Sequence, residues 1–194
     1  MTGFVLAGGK SSRMGTDKAL LRLGSKTIIE RVVEVIGLVC DPVILVTNSP
    51  SSYSFLGLEM VGDLLPGRGA LGGLHSALFF SPTPRALVVG CDMPLLNTDL
   101  LRYLATRSER WEVVVPRVGQ WLEPLHAIYS KRCLRPAEQL LLAGGRRITE
   151  FYPRVRVLEV TEEELRRMDP ELRSLVNVNT PEDLARLERS MTET

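Results

Sequence analysis

The 194-residue chain has little of what most often drives side-chain catalysis or locks a fold covalently. It holds two histidines, His75 and His126, and three cysteines, Cys40, Cys91 and Cys133. An odd number of widely spaced cysteines argues against a disulfide framework and fits a reducing, cytoplasmic setting. No pair has C-x-x-C spacing, which argues against a structural zinc site. Neither histidine is placed to activate a nucleophile, so no Ser/His/Asp set and no histidine metal pair can be assembled. Cys91, without an adjacent base, reads as a small packing residue. The net charge of +1 gives no global field for nucleic acid or an anionic membrane. No apolar run approaches the ~18 residues of a spanning helix, and no basic leader with a long apolar stretch opens the chain. Repeats, low-complexity tracts and linkers are missing too. The length therefore reads as one domain over residues 1–194.

What is present is concentrated near the amino terminus. The apolar run Phe4-Val5-Leu6-Ala7 predicts a buried strand. Directly after it comes Gly8-Gly9-Lys10-Ser11-Ser12-Arg13-Met14-Gly15-Thr16-Asp17-Lys18. Gly8, Gly9 and Gly15 let an oxyanion approach the main chain, and backbone N–H groups in such a loop can cradle phosphate. Lys10, Arg13 and Lys18 add full positive charge, with a forked donor from Arg13. The spacing matches neither the P-loop nor the dinucleotide fingerprint. The chemistry is nonetheless that of a polyphosphate site.

Along the rest of the chain, strand-like runs alternate with helical stretches. Strands are expected at Val43–Val46, Leu58–Val61, Ala86–Val89, Glu112–Val115 and Val155–Val160, with one extended segment over Leu122–Tyr129. Helices are expected at Thr27–Ile36, Leu71–Phe80, Thr98–Thr106 and Pro136–Leu142. A last helix opens at Thr180-Pro181-Glu182-Asp183. This alternation predicts an α/β fold with a mainly parallel sheet covered on both faces. Ligands of such sheets bind at strand carboxyl ends, where strand order reverses.

Four further positions carry chemistry at those ends. Asp92, closing Ala86–Val89 within Gly90-Cys91-Asp92-Met93-Pro94, is a natural Mg²⁺ ligand facing a phosphate loop, or else a turn aspartate. Asn48 could read a base or sugar edge, or simply build a turn. Asp63 precedes a glycine-rich segment, Gly67 to Gly73, that leads into a helix and could admit a flat base, or be no more than a flexible turn. Asn177 and Asn179 precede the last helix and could bind a heterocycle or only help the cap.

Taken together, these motifs resemble the nucleotidyltransferases that attach a nucleotide to molybdopterin, and most of all the molybdenum cofactor guanylyltransferase family. The resemblance rests on Leu6-Ala7-Gly8-Gly9-x-Ser11-x-Arg13-Met14-Gly15-x-Asp17-Lys18-Ala19-Leu20-Leu21, on Cys91-Asp92-Met93-Pro94 and on Asn177-Val178-Asn179-Thr180-Pro181-Glu182-Asp183-Leu184. It spans nearly the whole chain. It implies a Rossmann-like three-layer αβα nucleotidyltransferase fold, GTP and molybdopterin or Mo-molybdopterin as substrates, Mg²⁺ as cofactor, and transient contacts with cofactor-delivering or acceptor proteins. By matching position it implies backbone contacts to the nucleotide from Leu6, Ala7 and Gly8, phosphate held by Lys18, guanosine by Asn48 and Asp63, and Mg²⁺ by Asp92. The loop's own chemistry adds Gly9 and Gly15 to the nucleotide contacts and Arg13 to the charge on the phosphates. Asn177 and Asn179 are the pterin-side candidates, with Glu123-Pro124-Leu125 and Gly145-Arg146-Arg147 on the same side. Gly9 in Leu-Ala-Gly-Gly resembles the guanine-specific branch. Gly69-Ala70-Leu71 departs from the family's common Gly-Pro-Leu. The alternatives are a cytidylyl or sugar-phosphate transferase on the same scaffold, or a noncatalytic GTP-binding carrier or regulator.

Overall fold

The computed structural model describes residues 1–8 and 17–192. Gly9, Lys10, Arg13 and Gly15 of the expected phosphate loop lie outside the described residues. In chain order the elements are β1 (Thr2–Leu6), a small hairpin of β2 (Arg22–Leu23) and β3 (Lys26–Thr27), α1 (Ile28–Gly37), β4 (Val43–Val46) and β5 (Glu59–Val61). Then follow α2 (Gly69–Phe80), β6 (Arg85–Gly90), α3 (Thr98–Arg107), β7 (Val113–Val118), β8 (Trp121–Leu122) and β9 (His126–Ser130). The chain closes with α4 (Leu134–Leu142), β10 (Val157–Val160), α5 (Glu162–Arg166) and α6 (Pro181–Thr192).

The central strands read as apolar runs because helices cover both faces of the sheet. Val5, Leu45 and Leu87 pack with Ile29, Val32 and Ile36 of α1, Leu101 and Leu104 of α3, and Leu187 of α6. Phe4, Ile44 and Val88 point the other way, onto Leu74 and Leu78 of α2 and Leu140 and Leu141 of α4. Three layers result, as expected. The start of α1 is fixed locally. Thr27 Oγ1 accepts from the Glu30 N–H at 3.3 Å, and the Glu30 carboxylate accepts from the Thr27 N–H at 2.6 Å. Such a reciprocal cap contributes about 1 kcal/mol.

The main sheet runs β10-β7-β9-β6-β1-β4-β5, with β8 paired to β7. From β1 the chain moves to β4 and β5 on one side, then returns to β6 on the other. Strand order therefore reverses at β1, which opens a crevice at the carboxyl edge. On the main path β9 alone runs antiparallel to its neighbours, β6 and β7.

Two local expectations change. The segment Leu122–Tyr129 is not one extended run: β8 ends at Leu122, a turn passes through Pro124, and β9 begins at His126. Pro124 has no N–H to extend a ladder, and the His126 N–H closes the turn onto the Glu123 carbonyl at 3.1 Å. In addition, α2 begins at Gly69, two residues before the expected Leu71, with Gly72 and Gly73 inside it. Their lack of side chains serves packing: a Cβ on Gly73 would stand 3.1 Å from Leu6 Cδ1. Tertiary contact outweighs glycine's poor helix propensity here. No helix among the described residues is long and apolar enough to cross a membrane.

Candidate active site

The loops after β1, β4, β5 and β6 all leave the carboxyl edge of the sheet. Between them lies a cavity of about 680 Å³, within the usual range of small-molecule clefts, about 300–1,000 Å³. Its wall carries Ala7 and Gly8 from the end of β1, then Asp17 and Lys18, then Asn48 and Asp63, and finally Cys91 and Asp92. Six of the predicted site residues thus meet in one place. Leu6 sits just behind the wall, its carbonyl accepting from the Cys91 N–H at 3.3 Å. A second groove of about 440 Å³, between Arg31, Pro94 and Arg173, holds none of the predicted residues.

Asn48 and Asp63 do not act separately. Asn48 Nδ2 donates to Asp63 Oδ2 at 3.0 Å, and the Asp63 N–H donates to Asn48 Oδ1 at 2.9 Å. The pair joins the β4 and β5 loops. The neighbouring Leu64 N–H donates to Ser76 Oγ at 2.9 Å, which ties the same loop to α2.

Asp92 lies across the cavity. Burial holds its carboxyl above its ordinary value, opposed by a backbone hydrogen bond and the charge of Lys18. The carboxylate folds back over Gly90: a Cβ there would meet Asp92 Oδ1 at 2.7 Å. Glu123 belongs to the same neighbourhood. Burial first, and the charge of Asp92 besides, push its carboxyl up, while the Leu125 backbone and the Asn177 side chain draw it down by hydrogen bonding. The turn holding Glu123 reaches this edge because β9 pairs antiparallel with β6, so that Gly90 N–H donates to the Leu125 carbonyl at 2.9 Å.

The segment Asn177–Asn179 docks on this same wall. The Val178 N–H donates to the Asp92 carbonyl at 2.8 Å, and Lys18 Nζ donates to Asn179 Oδ1 at 3.1 Å. Neither asparagine lines the cavity itself; each touches a residue that stands at or beside it. The cap of the last helix is built by Asp183, whose carboxylate accepts from the N–H groups of Asn179 and Thr180 at 3.0 and 2.9 Å, and not by the asparagine side chains.

Magnesium asks for oxygen ligands and keeps several of its positions for water and substrate phosphate, so one or two protein carboxylates suffice. Asp92, with Glu123 nearby, is a donor set of that kind. The carboxylate cradle above Gly90 fits it, although no group of three or more metal-ligating side chains occurs among the described residues.

Of the candidate bases and nucleophiles, the histidines sit elsewhere and Cys91 is inert. His75 is buried within α2 and His126 within β9, and neither lines the cavity. Cys91 does line it, yet burial pushes its thiol far above the ordinary value, aided by the charges of Asp92 and Asp17. Tyr53, Gly67 and Gly69 also line the wall, as does exposed Arg146. Tyr53 carries no sequence signal, because its partner Asp17 is 36 residues away.

A family model for the MobA-like NTP transferase domain matches residues 3–157. A protein of Pelotomaculum thermopropionicum named "Probable molybdenum cofactor guanylyltransferase" is 45% identical over 95% of this chain and 90% of its own length. The chain belongs to the molybdenum cofactor guanylyltransferase family. A second member, the molybdenum cofactor guanylyltransferase of Desulfosudis oleivorans, is 36% identical over 98% of this chain and 96% of its own. Among solved structures, molybdopterin-guanine dinucleotide biosynthesis protein A from Archaeoglobus fulgidus superposes with a TM-score of 0.86 at 30% identity, covering 100% of both chains. As a member of this family the protein is a nucleotidyltransferase, and the carboxyl-edge cavity is its candidate active site.

Proposed function

We propose that the protein transfers GMP from GTP to the terminal phosphate of molybdopterin, in its free or molybdenum-bearing form, and releases pyrophosphate. The observation that carries this reading is the meeting of Lys18, Asp92 and the Asn48–Asp63 pair on one cavity. A phosphate monoester has a second pKa near about 6 and is largely dianionic at neutral pH. Its oxygen can attack the α-phosphorus of GTP without a general base. One P–O bond forms as the bond to pyrophosphate breaks, and the leaving group departs as an anion. The burial of both histidines away from the cavity is compatible with such base-free chemistry.

Catalysis then rests on alignment and charge neutralisation. The ammonium of Lys18 offsets charge on the phosphates, and Arg13 is proposed to add its guanidinium to the same task. Ala7 and Gly8 offer main chain for close approach of the nucleotide. Asp63, an acceptor-only group as a carboxylate, suits the adjacent N1–H and N2–H donors of guanine, where cytosine offers only its N4 amine beside an acceptor. Asp92 would hold Mg²⁺, which when bound neutralises phosphate oxygens and orients them. Asn177 and Asn179 would face the pterin.

The test is pyrophosphate release by purified protein with molybdopterin, Mg²⁺ and each of GTP, CTP and UTP. Release with GTP alone is the expected result, with Asp92→Asn abolishing it. Preference for CTP or UTP would assign the chain to a sibling activity. Guanine nucleotide binding without pyrophosphate from any acceptor would make it a carrier.

A further inference from the structure

We propose that Tyr53 is a positioning residue which, through Asp17, sets the place of Lys18 on the cavity wall. The inference rests on the role proposed above for Lys18. Tyr53 lies in the short 3₁₀ turn Pro50–Leu56 that follows β4, and only 2% of it is exposed. Its hydroxyl donates to Asp17 Oδ2. The other carboxylate oxygen, Oδ1, accepts from the Ala19 N–H at 3.1 Å, and the Asp17 carbonyl accepts from the Leu20 N–H at 3.0 Å. Asp17 therefore caps the single turn Lys18–Leu20 that carries the lysine. Asp17 is thereby tied to the segment that follows β4, 36 residues on in sequence.

Packing alone does not require the hydroxyl. A phenylalanine would fill the same buried space, so what the oxygen adds is its grip on Asp17. That grip is durable: burial first, then the hydrogen bond and charge of Asp17, keep the phenol protonated and donating. Asn48, which pairs with Asp63, lies five residues before Tyr53 on the same loop. One short segment thus touches both the Asn48–Asp63 pair and, through Asp17, the lysine turn. A side chain displaced by a fraction of an ångström loses alignment rather than affinity.

Tyr53→Phe is the test, with turnover, GTP KM and melting temperature measured together. The expected result is a kcat about tenfold lower, with GTP KM changed less than about twofold. Melting should stay within about 3 °C. Asp17→Ala should reproduce the same split, and serves if the phenylalanine variant does not fold. Lys18→Ala is run beside them. Adding Tyr53→Phe to Lys18→Ala should cost nothing further, because the tyrosine acts through the lysine. Wild-type kcat in Tyr53→Phe, or a double variant slowed by the product of the two single losses, overturns the proposal. If Lys18→Ala itself turns over normally, the failure belongs to the role given to Lys18 instead.

Discussion

Replacing Gly90 by alanine would test whether the position of one carboxylate controls the chemistry. Gly90 is the last residue of β6, paired in register with Leu6, and its backbone is that of a strand any residue can adopt. An added methyl would stand 2.7 Å from Asp92 Oδ1, where ordinary contact begins at 3.4 Å. The oxygen must therefore retreat by roughly 0.7 Å, because the strand is held between β1 and β9 and cannot. Misplacing a reacting group by about 1 Å costs on the order of a hundredfold in rate. A fall in kcat of about ten- to a hundredfold follows, or roughly 1.4–2.7 kcal/mol of transition-state stabilisation. Stability should change by less than about 1 kcal/mol, since the group that yields is a side-chain tip. Pyrophosphate release across a Mg²⁺ titration reads the effect, and the half-saturating Mg²⁺ concentration should rise. Mn²⁺ binding, followed by electron paramagnetic resonance, gives a readout independent of turnover. Wild-type turnover and wild-type metal dependence in a folded Gly90→Ala protein would refute the reasoning.

Two other predictions concern the scaffold. Burial lowers His126 to about 4, against the opposing charge of Asp169 and the Ser174 backbone. The unfolded chain takes up this proton below its ordinary pKa while the folded one resists it, so stability is full above about pH 6.5 and falls by up to about 3 kcal/mol as pH drops towards 4. Urea midpoints at pH 7.5 and 4.5 should therefore differ less for His126→Leu than for the parent, and an equal difference would remove His126 as a source of acid sensitivity. Gly3 lets β1 lie against α1, since a Cβ there would meet Ile36 Cγ2 at 2.5 Å and Cys40 Cβ at 2.9 Å. Gly3→Ala should cost about 1–3 kcal/mol, lowering melting by about 2–4 °C for each, with turnover at low temperature preserved. Unchanged calorimetric melting would show that the two elements can separate without loss.

What could be read from the sequence follows from which constraints are local. β1, β4 and β6 stand out because buried parallel strands are apolar on both faces, and Asp92 stands out because a carboxylate closes such a run. The cap at Thr180, reciprocal with Asp183, is written within four residues. The interlock of Asn48 with Asp63 was not legible, because it joins two loops 15 residues apart. Glu123 stands out only through family likeness, since its approach to Asp92 depends on the direction of β9. The short α5 leaves no signal, because five residues are too few to show helical periodicity. Gly72 and Gly73 fall within the expected helix, but the reason for glycine there is not local: the Leu65 carbonyl and the Leu6 side chain stand close to where their Cβ atoms would be.

The reversed direction of β9 has a consequence for how the two halves of the protein can vary. In a wholly parallel sheet, each loop at the rim follows the strand it serves. Because β9 runs backwards, the rim near Asp92 is supplied by chain that precedes a strand, namely the turn after the β7–β8 hairpin. Lengthening or reshaping that hairpin would remodel one flank of the cleft and leave the loops from β1, β4 and β5 as they are. The wall beside Glu123 is thus free to diverge independently of the wall built from Asn48 and Asp63.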